Sequence, residues 1–518
     1  MSDNHNLFVA LRAGFPTDLD RSAVLAIDSS AGAGSSPPDY SWRDLERGSA
    51  MMANLLASLN LPAGSRVAVQ VDKSVEALML YLAVLRAGHV FLPLNTAYQE
   101  AEIGYFVGNA EPAVVVCTPK NFSWVSRIAF QAGCGQVYTL GDDRSGTLLQ
   151  RAAHHSDQHA PAQRSADDLA AILYTSGTTG RSKGAMLSHG NLLSNARVLL
   201  QHWDWRADDV LVHALPIFHV HGLFVALHCA LLGGSRLLWF NRFEPRAAIA
   251  QFAQATVFMG VPTLYSRMLA EPALTPAACS HMRLFISGSA PLQVETFDDW
   301  TTRSGHTILE RYGMSETAMI TSNPCRAADG ARRRGTVGRA LPGVGLRVVD
   351  DQGRACAAGD IGQIEVRGPN VFAGYWRMPE KTKEEFSADG WFKTGDVGKL
   401  STDGYVSIVG RSKDLVISGG YNVYPAEIEG VLNELPGVAE SAVVGAPHPD
   451  FGEAVVAVLV ARPGTTLDPA ALLATLKGRI ANFKVPKRVF VVAELPRNTM
   501  GKVQKNLLRE QHKGLFVK

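Results

Sequence analysis

The chain has no C-x-x-C pair: its six cysteines (Cys117, Cys134, Cys229, Cys279, Cys325 and Cys356) are scattered, which argues against a zinc site and against a disulfide framework. Neither charge sign dominates. Fifty Lys and Arg against 48 Asp and Glu leave a net charge of +2, so there is no broad basic field for nucleic acid. No apolar run reaches the ~20 residues of a membrane span, because the most apolar stretch, Val75 to Leu94, is interrupted by Glu76, Arg86, Gly88 and His89. It reads as a buried helix followed by a strand, with no membrane insertion. The first residues, MSDNHNLFVALRAGF, lack the basic, apolar and small-residue order of a secretory signal, so a cytoplasmic location is expected. Internal repeats and low-complexity segments are also missing. What remains is a globular chain of 518 residues, 46% hydrophobic, long enough for two or more domains.

The densest cluster of chemistry is ILYTSGTTGRSKGAMLSH, from Ile172 to His189. Its glycines do not fit the G-x-x-x-x-G-K-[ST] phosphate loop. The chemistry is nevertheless similar: Thr175, Ser176, Thr178 and Thr179 offer hydroxyls, Gly177 and Gly180 expose backbone N–H groups, and Arg181 and Lys183 add positive charge. A polyphosphate is the ligand such a loop suits, whereas a plain polar turn is the alternative reading.

From Ser65 to Thr178, strand-like runs (RVAVQV, HVFLPL, AAILYT) alternate with helical patterns, and DVLVHALP, ATVFMGVP and MRLFISGSAPL continue the rhythm. This is α/β architecture, layered sheets covered by helices, with ligands expected at the strand carboxyl ends. Beyond about Pro342 short glycine-punctuated strands predict a β-rich subdomain. The expected division is a large domain over 1–409, a hinge at 410–413 and a small mobile α+β domain over 414–518.

Four further clusters carry chemistry. ERYGMSET combines Tyr312, Gly313, Ser315 and Glu316, an aromatic face with a hydroxyl and a carboxylate, suited to a base, a phosphate and Mg2+. KTGDVGKL sets Asp396 in a glycine-bounded turn, where a carboxylate can accept from both hydroxyls of a ribose, although an ordinary Asx turn fits as well. PRNTMGKVQK offers Lys502 as a mobile point charge or a solvated lysine. ISGGYNVYPAEIE places Gly419 and Gly420 before a helix.

In order and approximate spacing these stretches resemble the acyl-adenylate-forming superfamily of acyl-CoA synthetases, luciferases and peptide-synthetase adenylation domains, over almost the whole chain. The resemblance implies that Thr175–Lys183 holds the ATP phosphates, Glu316 ligates Mg2+ and Asp396 holds the ribose. It further implies that Gly288, Ser289, Ala290 and Pro291 line the adenine slot with Tyr312, and that Arg411 contacts the nucleotide. Lys413 falls at the hinge, Lys502 stabilises charge during adenylation, and the Gly419–Gly420 loop lines a thiol tunnel. Ser315 stands where the family more often has Thr, which keeps the hydroxyl.

Coenzyme A is the expected acceptor. Peptide-synthetase domains have Phe-Asp where this chain has Phe218-His219, so the anion that pairs a substrate amine is missing and amino acids are poor candidates. In detail ALPIFHVHGLFVA, MGVPTLYSRML and LERYGMSETAMITSNP resemble malonyl-CoA synthetases. A dicarboxylate buries its second carboxylate and needs a guanidinium partner there. Arg283 and Arg332 fall where the resemblance puts those arginines; Arg334, where relatives tend to have Pro, blurs the second match. His219 and His221 would gate the acyl pocket, and Val220 and Met319 would keep it small. Malonate is therefore the expected acid, with methylmalonate or sulfoacetate as runners-up and a catalytically silent nucleotide- or acyl-binding protein as the alternative of another class.

Overall fold

The computed structural model describes residues 4–27, 38–175, 182–419, 421–498 and 501–516. Among them the strands form four sheets, of nine, seven, four and five strands. The seven-stranded sheet holds the parallel strands Arg66–Gln70, Val90–Pro93, Val114–Cys117 and Gln136–Thr139, followed by the antiparallel hairpin Leu169–Thr175/Lys183–Ser188 and, at the edge, the short strand Gly374–Tyr375. These strands are nearly continuous in Val, Leu and Ala because helices cover both faces. One of the covering helices is Val75–Arg86, capped by the Ser74 hydroxyl and buried at every position. As the sequence predicts, Val75–Leu94 is a helix and then a strand.

The nine-stranded sheet runs parallel through Val210–His213, Arg236–Phe240, Val257–Gly260, Leu284–Ser287 and Leu309–Met314. Register aligns Gly260, Ser287 and Glu310, so the turns that follow these strands gather at one edge. A layered α/β body of this kind binds ligands at such an edge.

The antiparallel four-stranded sheet is Gly345–Val349, Ile361–Arg367, Phe392–Leu400 and Val406–Arg411. Asp396, expected in a turn, lies inside its third strand, where Gly395 takes φ +70° and a bulge follows at Val397/Gly398. The sheet's last strand ends at Arg411, a 3-10 turn spans Ser412–Asp414, and the five-stranded sheet begins at Val416. That last sheet packs the helices Pro425–Asn433, Pro469–Lys477 and Lys505–His512 around two small cores of its own. No helix among the described residues is long and apolar enough to cross a membrane.

Candidate active site

Of the loop expected to hold phosphates, Thr175 and Lys183 close an antiparallel hairpin, with the Thr175 hydroxyl donating to the Lys183 carbonyl at 3.3 Å. Ser176, Gly177, Thr178, Thr179 and Gly180 lie outside the described residues, as does Gly420. Lys183 Nζ sits 4.2 Å over the Tyr375 ring and 3.1 Å from Glu385 Oε1. The hydroxyl of Tyr375 donates at 2.9 Å to Glu316 Oε1. Glu316 is buried, and burial raises its carboxyl pKa against the opposing pull of Tyr375, Arg411 and Lys183.

Across the cleft Asp396 is buried, accepts from the Tyr312 hydroxyl and pairs with Arg411 at 2.6 Å. Tyr312, Asp396 and Arg411 thus form one cluster drawn from two sheets. Ser315 and Ala290 are half-buried nearby in sequence, and Pro291 is exposed. Ser289 holds φ +71°, a left-handed conformation uncommon for a non-glycine residue, and its hydroxyl lies 3.3 Å from His221 Nδ1.

Lys502 enters from the last domain. Its backbone N–H donates to Asn498 Oδ1 at 3.0 Å, and Gly501, at φ +74°, packs against Thr263 of the large body. Burial lowers the Lys502 ammonium to about 8; Arg411 and Arg311 push the same way, while Asp396 and Glu316 oppose. Lys502 therefore shares one electrostatic neighbourhood with the Tyr312–Asp396–Arg411 cluster. Lys413 is exposed in the 3-10 turn between the sheets, and Gly419 donates its N–H to the Phe451 carbonyl at 2.9 Å.

The acid side is built from the loop before His221–Ala226, a π-helical segment, a form that often marks functional sites. The His221 N–H points at His219 Nδ1 at 3.4 Å. Burial, reinforced by the positive charges of Lys502 and Arg311, holds His219 at about 3, and burial with Arg311 depresses His221 as well, so both imidazoles are neutral at pH 7. His221 Nε2 and the Ser287 hydroxyl are buried without a partner among the described residues. Val220 and Met319 are fully enclosed.

The two arginines expected to meet a substrate carboxylate both have their donors engaged by protein acceptors. Arg283 makes a two-pronged ion pair with Asp209, Nε to Oδ1 at 2.6 Å and Nη2 to Oδ2, and its remaining nitrogen donates to the Trp203 carbonyl at 3.3 Å. Arg332 spends its guanidinium on the carbonyls of Thr307, Cys325 and Pro324 at 2.7, 3.0 and 3.2 Å. Arg334 pairs with Asp298 at the surface.

Arg311 is different. It is 2% exposed, and Nε, Nη1 and Nη2 all lack a partner among the described residues. The guanidinium lies against Gly288, where a Cβ would come within 2.6 Å of Cζ and Nη1. Burial pulls its pKa down to about 9, and adjacent Glu310, whose carboxyl takes the Leu292 N–H at 3.3 Å, is raised by burial to about 8. A buried guanidinium with every donor unused is costly unless an anion completes it. The sequence carried a signal for it: two adjacent ionisable residues, Glu310 and Arg311, in a strand otherwise destined for the core.

These arrangements have counterparts in known proteins. The model of the AMP-binding enzyme family matches residues 20–376, and that of the AMP-binding enzyme C-terminal domain matches 427–502. A malonate–CoA ligase of Arabidopsis thaliana is 35% identical over 482 residues, covering 86% of this chain and 78% of the relative. The crystal structure of ATP-bound MatB from Rhodopseudomonas palustris is 53% identical, covers 99% of this chain and 100% of that one, and superposes with a TM-score of 0.95. The apo form of the same protein, 52% identical with the same coverage, gives 0.83. A family model that spans most of the large body, a second that spans most of the small domain and relatives aligned along nearly the whole chain agree: this chain belongs to the AMP-binding enzyme family.

Proposed function

We propose that this protein is an acid–thiol ligase that uses ATP to join malonate to coenzyme A, releasing AMP and pyrophosphate by way of a malonyl-adenylate. The observation that carries the choice of acid is the unused, buried guanidinium of Arg311 beneath Gly288. A monocarboxylate would leave that cation unpaired, whereas the distal carboxylate of a short dicarboxylate completes it with charge-assisted hydrogen bonds. Val220 and Met319, both buried beside the His219–His221 segment, would keep an acyl pocket small enough for a three-carbon acid. The malonate–CoA ligase relative and the likeness to ATP-bound MatB support the same reading.

In the first half-reaction a carboxylate oxygen of malonate attacks the α-phosphorus of ATP and pyrophosphate leaves. Lys502, still protonated at pH 7, neutralises the charge that moves onto the leaving group. We assign Asp396 and Arg411 to the ribose, Gly288–Pro291 and Tyr312 to the adenine, and Thr175 to Lys183 with Ser315 to the phosphates. Glu316 fits Mg2+, since a buried carboxylate oriented by Tyr375 is the single protein ligand such an ion commonly takes beside substrate phosphates. Bound there, Mg2+ supplies Lewis-acid stabilisation of the phosphoryl oxygens. In the second half-reaction the thiol of coenzyme A attacks the acyl carbonyl and AMP leaves. His219 and His221, being neutral, offer hydrogen bonds to the acyl group without repelling Arg311. We assign residues 1–409 to the adenylating domain, 410–413 to the hinge and 414–518 to the mobile domain. The cytoplasm is the proposed compartment, which the six unpaired thiols suit.

Arg311→Gln tests the acid. Its loss should lower malonate kcat/KM by about 2–5 kcal/mol in activation free energy, with a much smaller effect on propionate, which has no second carboxylate. Equal losses on both acids would overturn the assignment. Methylmalonate or sulfoacetate turning over better than malonate would move the choice within the class, and the absence of AMP release with every acid would favour a silent binding protein.

A further inference from the structure

Lys502 reaches the cleft from a small hairpin, and its long flexible stem lets the ammonium swing unless the backbone beneath it is fixed. Residues 496–504 fold back on themselves. The Gln504 N–H donates to the Pro496 carbonyl at 2.8 Å, the Asn498 N–H donates to the Lys502 carbonyl at 2.9 Å, and Arg497 bridges to Val503. Gly501 takes φ +74°, so the peptide plane that joins it to Lys502 has a glycine's freedom to flip.

Both polar ends of that plane are held. The Lys502 N–H donates to Asn498 Oδ1 at 3.0 Å, and the Gly501 carbonyl accepts from Arg497 Nη1 at 2.5 Å. A peptide unit is rigid, so these two bonds fix the direction in which the Lys502 side chain leaves the backbone. Arg497 is itself anchored, because Nη2 pairs with Glu440 on the strand Val438–His448. A guanidinium fork can meet a carbonyl and a carboxylate at once. The register of that strand shifts between Val438 and Glu440, as at a bulge, a device that re-aims a side chain. The same stretch is docked on the large body, since Arg462 Nε donates to the Val438 carbonyl at 3.2 Å and Nη2 pairs with Glu295 at 2.5 Å.

We infer that Arg497, anchored by Glu440, is the positioning residue of Lys502, holding the Gly501–Lys502 peptide so that the ammonium stands where pyrophosphate leaves. This deepens the reading of the protein as an adenylating ligase and rests on it. The Arg497 and Glu440 side chains are 31% and 27% exposed, so their pair contributes little to folding and its loss is felt at Lys502 instead. In the second half-reaction the lysine charge has no task, so the effect belongs to the first alone.

Arg497→Gln should lower the kcat of malonate-dependent ATP–pyrophosphate exchange about tenfold, the scale of a slightly misplaced charge, with KM for ATP and malonate near the parent values. Glu440→Gln should act in the same direction more weakly. In both variants thioester formation from supplied malonyl-adenylate, and the denaturant midpoint, should stay at the parent values. A second readout needs no substrate. Acetic anhydride should label Lys502, half-buried in the parent, several-fold faster in Arg497→Gln, while Lys505, paired with Glu429 at 2.6 Å, keeps its rate. Equal losses in the two half-reactions, or unchanged labelling of Lys502, would overturn the proposal. Exchange in the parent is run first over a panel of acids, and if malonate fails there, whichever acid supports exchange replaces it. If none does, the ligase reading fails, and the labelling alone decides whether Arg497 holds Lys502.

Discussion

Three arginines decide how the acid end of the site is read, and what separates them is whether their donors are already used. Arg283 and Arg332 stand at positions that the resemblance favours, yet each has its donors filled by protein acceptors, while Arg311 has none filled. A linear motif gives residue type and spacing but not which way a guanidinium turns at the end of its flexible stem. Arg283→Ala should therefore be a stability mutation. It would leave the carboxylate of Asp209, 1% exposed, without its ion partner, although the Thr256 hydroxyl and the Arg206 N–H still donate to it at 2.7 and 2.8 Å. A loss of about 3 kcal/mol in unfolding free energy is expected, at the low end for a broken buried pair because those two donors remain. The denaturant midpoint measures it. The malonate-to-propionate ratio of kcat/KM should stay at the parent value, and a tenfold fall in that ratio would return Arg283 to the substrate.

The elements that carry the site were mostly legible in the sequence. The apolar runs DVLVHALP, ATVFMGVP and MRLFISGSAPL become parallel strands whose turns meet at one edge, because continuous Val, Leu, Ile and Phe suit strands covered on both faces. Two features were not legible. Asp396 lies within a strand, since a single left-handed glycine and a bulge do locally what a turn was expected to do. The fit between Gly288 and Arg311 joins the ends of two neighbouring strands and leaves no trace in either segment alone. Gly288→Ala probes that fit. The backbone there is not left-handed, so the strain comes from the new Cβ, 2.6 Å from the guanidinium. Overpacking by one methyl costs about 1–3 kcal/mol. Because Arg311 is the neighbour that must move, malonate kcat/KM should fall roughly 10- to 100-fold and propionate less. Equal losses on both acids with a raised KM for ATP would show that the methyl group disturbs the nucleotide instead.

At the scale of the whole molecule, the arrangement is more like that of ATP-bound MatB than that of its apo form. The chain superposes on ATP-bound MatB at 0.95 and on the apo form at 0.83, and Lys502 stands in the field of Asp396 and Glu316. Arg462 of the last sheet pairs with Glu295 of the helix Val294–Ser304, which ties the small domain to the large body, but both partners are exposed and such a pair contributes little. That pair can be broken at little cost, which the proposed use of one cleft for two reactions requires. The chain between the domains is short: Arg411 ends one sheet, Val416 begins the next, and the 3-10 turn of Ser412–Asp414 lies between. A proline fixes φ near −65°, a value 3-10 turns accept, so Lys413→Pro should tolerate the present geometry and resist any other. Malonate-dependent ATP–pyrophosphate exchange should then persist near the parent rate. Conversion of supplied malonyl-adenylate and coenzyme A to thioester should fall on the order of 100-fold, the scale of a misplaced reacting group. Lys502→Ala should give the opposite pattern, because its charge matters only while pyrophosphate departs. If Lys413→Pro instead slows both half-reactions alike, the turn supports the fold without acting as the pivot, and rotation must be sought elsewhere between Gly410 and Val416.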